Sequence, residues 1–266
     1  MQPEITKKQA KCLCNICLDY LKSKTNIDDV WDLASWNKKG PLNKLTDIYK
    51  KLLQSLSNRR GMKNSIGDIK RLSGILENFD PKKVRSNFKD WEQLFQKIKS
   101  EIKPNSRMEA SVPQNYWVVF CKGAIDAATF LSKFKDGEEF NSQVAQFANS
   151  EPFIAALPEF LRMEITGLGF PLACDFLKES GWSQYAKSDI HTKNILSAIG
   201  FSDGKDYSTF KAIRQIAKHV NKTPYTIDKI LWLIGSGNLY NKNKIIRTNR
   251  DEFLEYYKTR CPTVTQ

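Results

Sequence analysis

Apolar residues recur at helical spacing along almost the whole of this chain, and no series of short runs alternates apolar with polar residues as half-buried strands do. That periodicity predicts an all-α fold. Helices are expected over residues 4–21, 27–34 (capped by Asn26), 42–56 (Pro41 in its first turn), 67–77, 81–102, 113–134, 140–148 and 152–164. Further helices are expected over 190–199 and 207–220, from Thr223-Pro224 to the glycines at 235–237, and over 251–258. The segment 113–134 is the most apolar. Trp117, Phe120, Cys121, Ala124, Ala128 and Leu131 leave it no clearly polar side, so it belongs in the centre of a lobe. Residues 103–107, Lys-Pro-Asn-Ser-Arg, interrupt the periodicity and read as a linker.

The chain has 266 residues, enough for one large domain or two helical lobes. Its formal net charge is +13, an excess that solubility does not require and that a polyanion such as nucleic acid would explain. The basic run 57–63, with Arg59, Arg60 and Lys63, is either solvated surface or a contact to a phosphate backbone. No apolar run is long enough to span a membrane, and the first residues lack an apolar signal core, so a cytoplasmic, nucleoid-associated location is expected. The six cysteines are Cys12, Cys14, Cys17, Cys121, Cys174 and Cys261. They do not have zinc-ribbon spacing and are expected to be buried, reduced thiols.

The chemistry concentrates in residues 165–201. Ile165-Thr166-Gly167-Leu168-Gly169 is a glycine-rich turn between two helical patterns, and both glycines are expected to free the backbone for positive φ. The second helix would begin with unsatisfied N–H groups that suit an anion. Further on, Asp189-Ile190-His191-Thr192 opens a short helix that ends at Gly200. The turn resembles the helix-hairpin-helix of base-excision DNA glycosylases, LPGVGxxTA. The segment with Asp189, His191, Ile195, Leu196 and Gly200 is similar to that superfamily's VDTHVxRVxxRLG aspartate segment. The likeness covers roughly residues 152–201. It departs at Ile165-Thr166, which replace Leu-Pro, and at Leu172-Ala173, which replace Thr-Ala.

The resemblance implies a two-lobed, all-helical glycosylase fold. An N-terminal region, 1–105, packs in part with the C-terminal helices, 111–200 forms the hairpin lobe, and 201–266 completes the second lobe. It implies a monomeric DNA-repair enzyme acting on double-stranded DNA that contains a lesion, with the duplex lying between the lobes. Backbone groups of Thr166, Gly167, Leu168 and Gly169 would hold the phosphates. Asp189 would stabilise an oxocarbenium-like sugar and orient water, with His191 supporting its segment. Asp189 is equally a candidate helix N-cap, and the two roles can coexist. Bifunctional relatives carry a nucleophilic lysine where this chain has Pro171, which implies hydrolysis without a Schiff base. Trp182 and Trp117 are the candidate base-stacking residues. No metal site and no iron–sulfur cluster is expected. A monovalent cation on the hairpin carbonyls, as in relatives, is the one candidate cofactor. The alternative function is a non-catalytic helix-hairpin-helix module that binds nucleic acid.

Overall fold

The computed structural model of the chain describes residues 4–24, 40–237 and 247–261. Among these residues there are helices and no strands, so the fold is all-α. The helix expected over 27–34 lies outside the described residues. The chain divides into two compact units, 40–182 and a discontinuous unit made of 1–39 and 183–266. The division is therefore drawn elsewhere than at 105, 111 and 200. Residues 40–105 join the hairpin's unit, and the aspartate segment joins the C-terminal helices.

Numbered along the chain after α1 (Lys7–Lys24) of the other unit, the helices of the unit 40–182 are α2 (Leu45–Ser57), α3 (Met62–Ile66), α4 (Pro81–Asn87), α5 (Trp91–Glu101), α6 (Tyr116–Ser132), α7 (Gly137–Ala148), α8 (Ala156–Glu164) and α9 (Phe170–Glu179). Helix α6 is the axis of this unit, packed by α2, α3, α4, α5 and α8. Twelve of its residues are buried, from Trp117 to Leu131, as its uniform apolarity requires. Burial stabilises it by roughly 1.5–3 kcal/mol for each large side chain.

The long helix expected over 81–102 is two helices. Phe88 is extended, with φ −122° and ψ 116°, and Asp90 caps the second piece by accepting from the Gln93 N–H at 2.9 Å. Asp80 caps the first piece ahead of Pro81. The helix expected over 67–77 is replaced by two 3₁₀ turns, Ile69–Leu72 and Glu77–Phe79. Residues 103–107 are tied down rather than linking lobes. Ser106 Oγ accepts from Trp117 Nε1 at 2.8 Å and donates to the Ser65 carbonyl at 3.0 Å.

The discontinuous unit holds α1 (Lys7–Lys24), α10 (Ile190–Ala198), α11 (Asp206–His219), α12 (Pro224–Ser236) and α13 (Arg250–Arg260) around one apolar core. Thr223 caps α12 by accepting from the Thr226 N–H, and Pro224 occupies its first turn, as expected. Helices α1 and α13 are joined along their length. Cys12 and Cys261 form a disulfide, the Tyr20 hydroxyl donates to the Asn249 carbonyl, and Lys24 pairs with Glu252. The pairing of Cys12 with Cys261 corrects the expectation of six reduced thiols. Helix folding brings together two residues 249 apart in sequence, which spacing within a motif cannot reveal. Cys14, Cys17, Cys121 and Cys174 are buried.

Candidate nucleic-acid interface and candidate catalytic aspartate

Helices α8 and α9 pack on each other on either side of the turn 165–169. The turn closes through the Leu168 N–H, which donates to the Ile165 carbonyl at 3.1 Å. Gly167 stands at its third position with φ +83°, the region that a type II turn demands there. An added Cβ at Gly167 would lie 2.6 Å from Val119 Cγ1 and 3.4 Å from Arg59 Nη1. Gly169 differs from the expectation. Its φ is −69° and its ψ 164°, an extended N-cap that any residue adopts, and the nearest atom to an added Cβ is 3.8 Å away. One glycine is required by the backbone and the other is not.

Helix α6 holds the turn at two points. Gly123 leaves room for the Thr166 carbonyl, which a Cβ would strike. Asp126, one turn further on, accepts the Thr166 N–H at 3.0 Å. These bonds correct the four-residue phosphate cradle. The N–H groups of Thr166 and Leu168 already have partners, and the Leu168 side chain is buried. Those of Gly167 and Gly169 have no hydrogen bond among the described residues, so they are the two that can meet an anion. Asp126 was visible in the sequence as the only carboxylate of an apolar helix, three residues after a glycine.

Pro171 occupies the first turn of α9, leaving no nucleophile there. Lys178, later on the same helix, is 3% exposed with its Nζ 3.7 Å from Asp175 Oδ1. Asn58 donates to the other oxygen of Asp175 at 3.3 Å. An ammonium so enclosed does not reach a sugar in solution.

The aspartate segment belongs to the discontinuous unit. Asp189 is the N-cap of α10, and its Oδ1 accepts from the His191 N–H, the Thr192 N–H and the Thr192 hydroxyl, each at 3.0 Å. Asp189 is half-buried, and its Oδ2 makes no hydrogen bond among the described residues. The preceding residues are held by a buried acid absent from the sequence reading. Asp228 of α12 accepts the Lys187 N–H at 3.1 Å, and the Asp189 N–H donates to the Lys187 carbonyl at 2.9 Å. His191 rests against Gly235, where an added Cβ would come within 2.6 Å of the His191 Cβ. It is therefore a packing contact between α10 and α12.

Neither tryptophan presents a stacking face. Trp117 is fully buried, its Nε1 bonded to Ser106, with Phe120 edge-on and the Arg71 guanidinium 5.6 Å from its ring centroid. Trp182 is 8% exposed, and its buried Nε1 has no hydrogen-bond partner among the described residues. Both are core residues, which corrects their assignment to a base pocket. No group of three or more His, Cys, Asp or Glu able to hold a metal ion occurs among the described residues. No helix of the described residues is long and apolar enough to cross a membrane.

Fold and site together define the class: an all-helical protein of two compact units, one bearing a helix–glycine turn–helix hairpin and the other a capped aspartate segment. In comparison with known proteins, the chain matches no family model, no curated protein and no solved structure.

Proposed function

We propose that this protein is a monofunctional DNA glycosylase of base-excision repair, acting on duplex DNA that contains a damaged or mismatched base. The observation that carries the proposal is the hairpin turn between two packed helices, whose Gly167 and Gly169 N–H groups make no hydrogen bond among the described residues. Such groups donate to phosphodiester oxygens. The net charge of +13 supports a polyanionic partner. The chemistry is assigned to Asp189. Its Oδ1 is used by the cap, and its Oδ2 is the oxygen left for reaction. With the base flipped out of the stack, the C1′–N bond breaks and the base leaves with the bonding electrons. The carboxylate stabilises the positive sugar, water adds to C1′, and the water's proton passes to Oδ2. Pro171 and the buried Lys178 support hydrolysis over a covalent amine route. A cytoplasmic, nucleoid-associated monomer is part of the same proposal.

A second reading, a non-catalytic DNA-binding module, is favoured by one specific feature. Three hydrogen bonds to Oδ1 explain Asp189 as a helix cap without any chemistry. Asp189→Asn separates the two. An amide oxygen still caps, so a binding module loses nothing, whereas a glycosylase loses base release while retaining duplex affinity.

A further inference from the structure

We infer that Arg59 is a phosphodiester contact of the hairpin, gripping the same DNA backbone as the Gly167 turn; the inference rests on the DNA-binding function proposed above. Arg59 lies in the basic turn between α2 and α3, far from the hairpin in sequence, yet its Nη1 is 3.4 Å from the position of a Cβ on Gly167. Arg59 is half-buried and has no carboxylate within ion-pair distance among the described residues. Its turn is fixed in place. The Arg59 N–H donates to the Leu56 carbonyl at 3.1 Å, and the Arg59 carbonyl accepts from the Met62 N–H at 2.9 Å. Asn58, the preceding residue, is bonded to Asp175 on α9. The basic turn is thus docked on the second hairpin helix through one residue and on the glycine turn through the next.

Electrostatics gives Arg59 a task. Asp126 brings a carboxylate to the same turn through its bond to the Thr166 N–H. A phosphate approaching the Gly167 N–H meets that negative charge, and a nearby cation must offset it. The Arg59 guanidinium stands beside Gly167, and its planar fork suits two phosphate oxygens. Arg60 in the same turn and Lys63 at the start of α3 are exposed and extend the positive surface.

The test is fluorescence anisotropy of the full chain with a lesion-free duplex at several salt concentrations. Wild type is compared with Arg59→Gln, Arg59→Lys and Lys99→Gln, the last an exposed lysine on α5 with the same change in charge. Arg59→Gln is expected to weaken binding about tenfold and to reduce the log–log salt slope by about one. Lys99→Gln should stay within about twofold of wild type, and Arg59→Lys should recover part of the lost affinity, because it keeps the charge and loses the planar fork. Equal losses in Arg59→Gln and Lys99→Gln would overturn the contact while leaving DNA binding intact. Absence of duplex binding by wild type would overturn the DNA reading and this inference with it.

Discussion

Replacing Gly167 with alanine, and separately Gly169, tests the geometry on which the hairpin depends. At Gly167 the φ of +83° costs an L-residue about 1–2 kcal/mol. The new methyl would also lie 2.6 Å from Val119 Cγ1, on a β-branched side chain of the buried axis helix that has little rotamer freedom. Relieving that overlap costs about 1–3 kcal/mol more. The sum, about 2–5 kcal/mol, corresponds to a fall in melting temperature of roughly 4–20 °C for a chain of this size. At Gly169 the backbone is already extended and nothing lies closer than 3.8 Å, so alanine is expected to change stability by less than about 0.5 kcal/mol. Thermal melting followed by circular dichroism reads both variants, and duplex anisotropy should show Gly167→Ala impaired and Gly169→Ala unchanged. Equal destabilisation by the two substitutions would refute the account of the turn.

Three further outcomes follow from other parts of the molecule. Reduction of the Cys12–Cys261 disulfide, or Cys12→Ser, should destabilise the discontinuous unit by about 3–5 kcal/mol, because the bridge joins positions 249 apart. The variant and wild type should then melt alike in dithiothreitol. Asp189→Ala should lower stability by about 1–2 kcal/mol through loss of the cap, while Asp189→Asn should cost less than about 0.5 kcal/mol, as chemical denaturation can measure. Burial pushes the Cys14 thiol up to about 12 from its ordinary value of 9.0, and burial, then the neighbouring Cys14, raises the Cys17 thiol. Both thiols hold their protons more tightly folded than unfolded. Their contribution to stability is therefore fully present below pH 9 and is lost as pH rises above it, for Cys14 between about 9 and 12. An aromatic disulfide reagent at pH 8 should accordingly leave Cys14 and Cys17 unmodified until denaturant is added; rapid labelling of the native protein would contradict their burial.

What could be read from the residues depended on whether the signal was local. The cap-and-proline start at Thr223-Pro224 and the wholly apolar α6 are local patterns, and the structure has them where the spacing puts them. The break at Phe88 was hidden because Phe88, Leu94, Phe95 and Ile98 fit one helical stripe, while the Asp90 cap that divides it looks like any surface acid. Residues 103–107 have a linker's composition, but the Trp117 indole draws Ser106 into the packing from eleven positions away. Trp117 and Trp182 could not be told from stacking residues by type alone, since burial is decided by partners distant in sequence. Within the hairpin, Gly167 was legible as a turn glycine. The bond from Thr166 to Asp126 and the approach of Arg59 were not, because each joins the turn to a different helix or loop. Asp189 was legible as both a cap and a candidate acid, and its hydrogen bonds establish the cap.

The most direct measurement is single-turnover formation of abasic sites across duplexes carrying oxidised, alkylated, deaminated and mismatched bases. Wild type and Asp189→Asn are compared, with a borohydride trap alongside. A glycosylase of the proposed kind releases one class of base, loses at least about a hundredfold in rate on Asp189→Asn with duplex affinity retained, and leaves no trapped adduct. Abasic product formed equally by both proteins, or none from any duplex that wild type binds, would contradict the assignment of chemistry to Asp189.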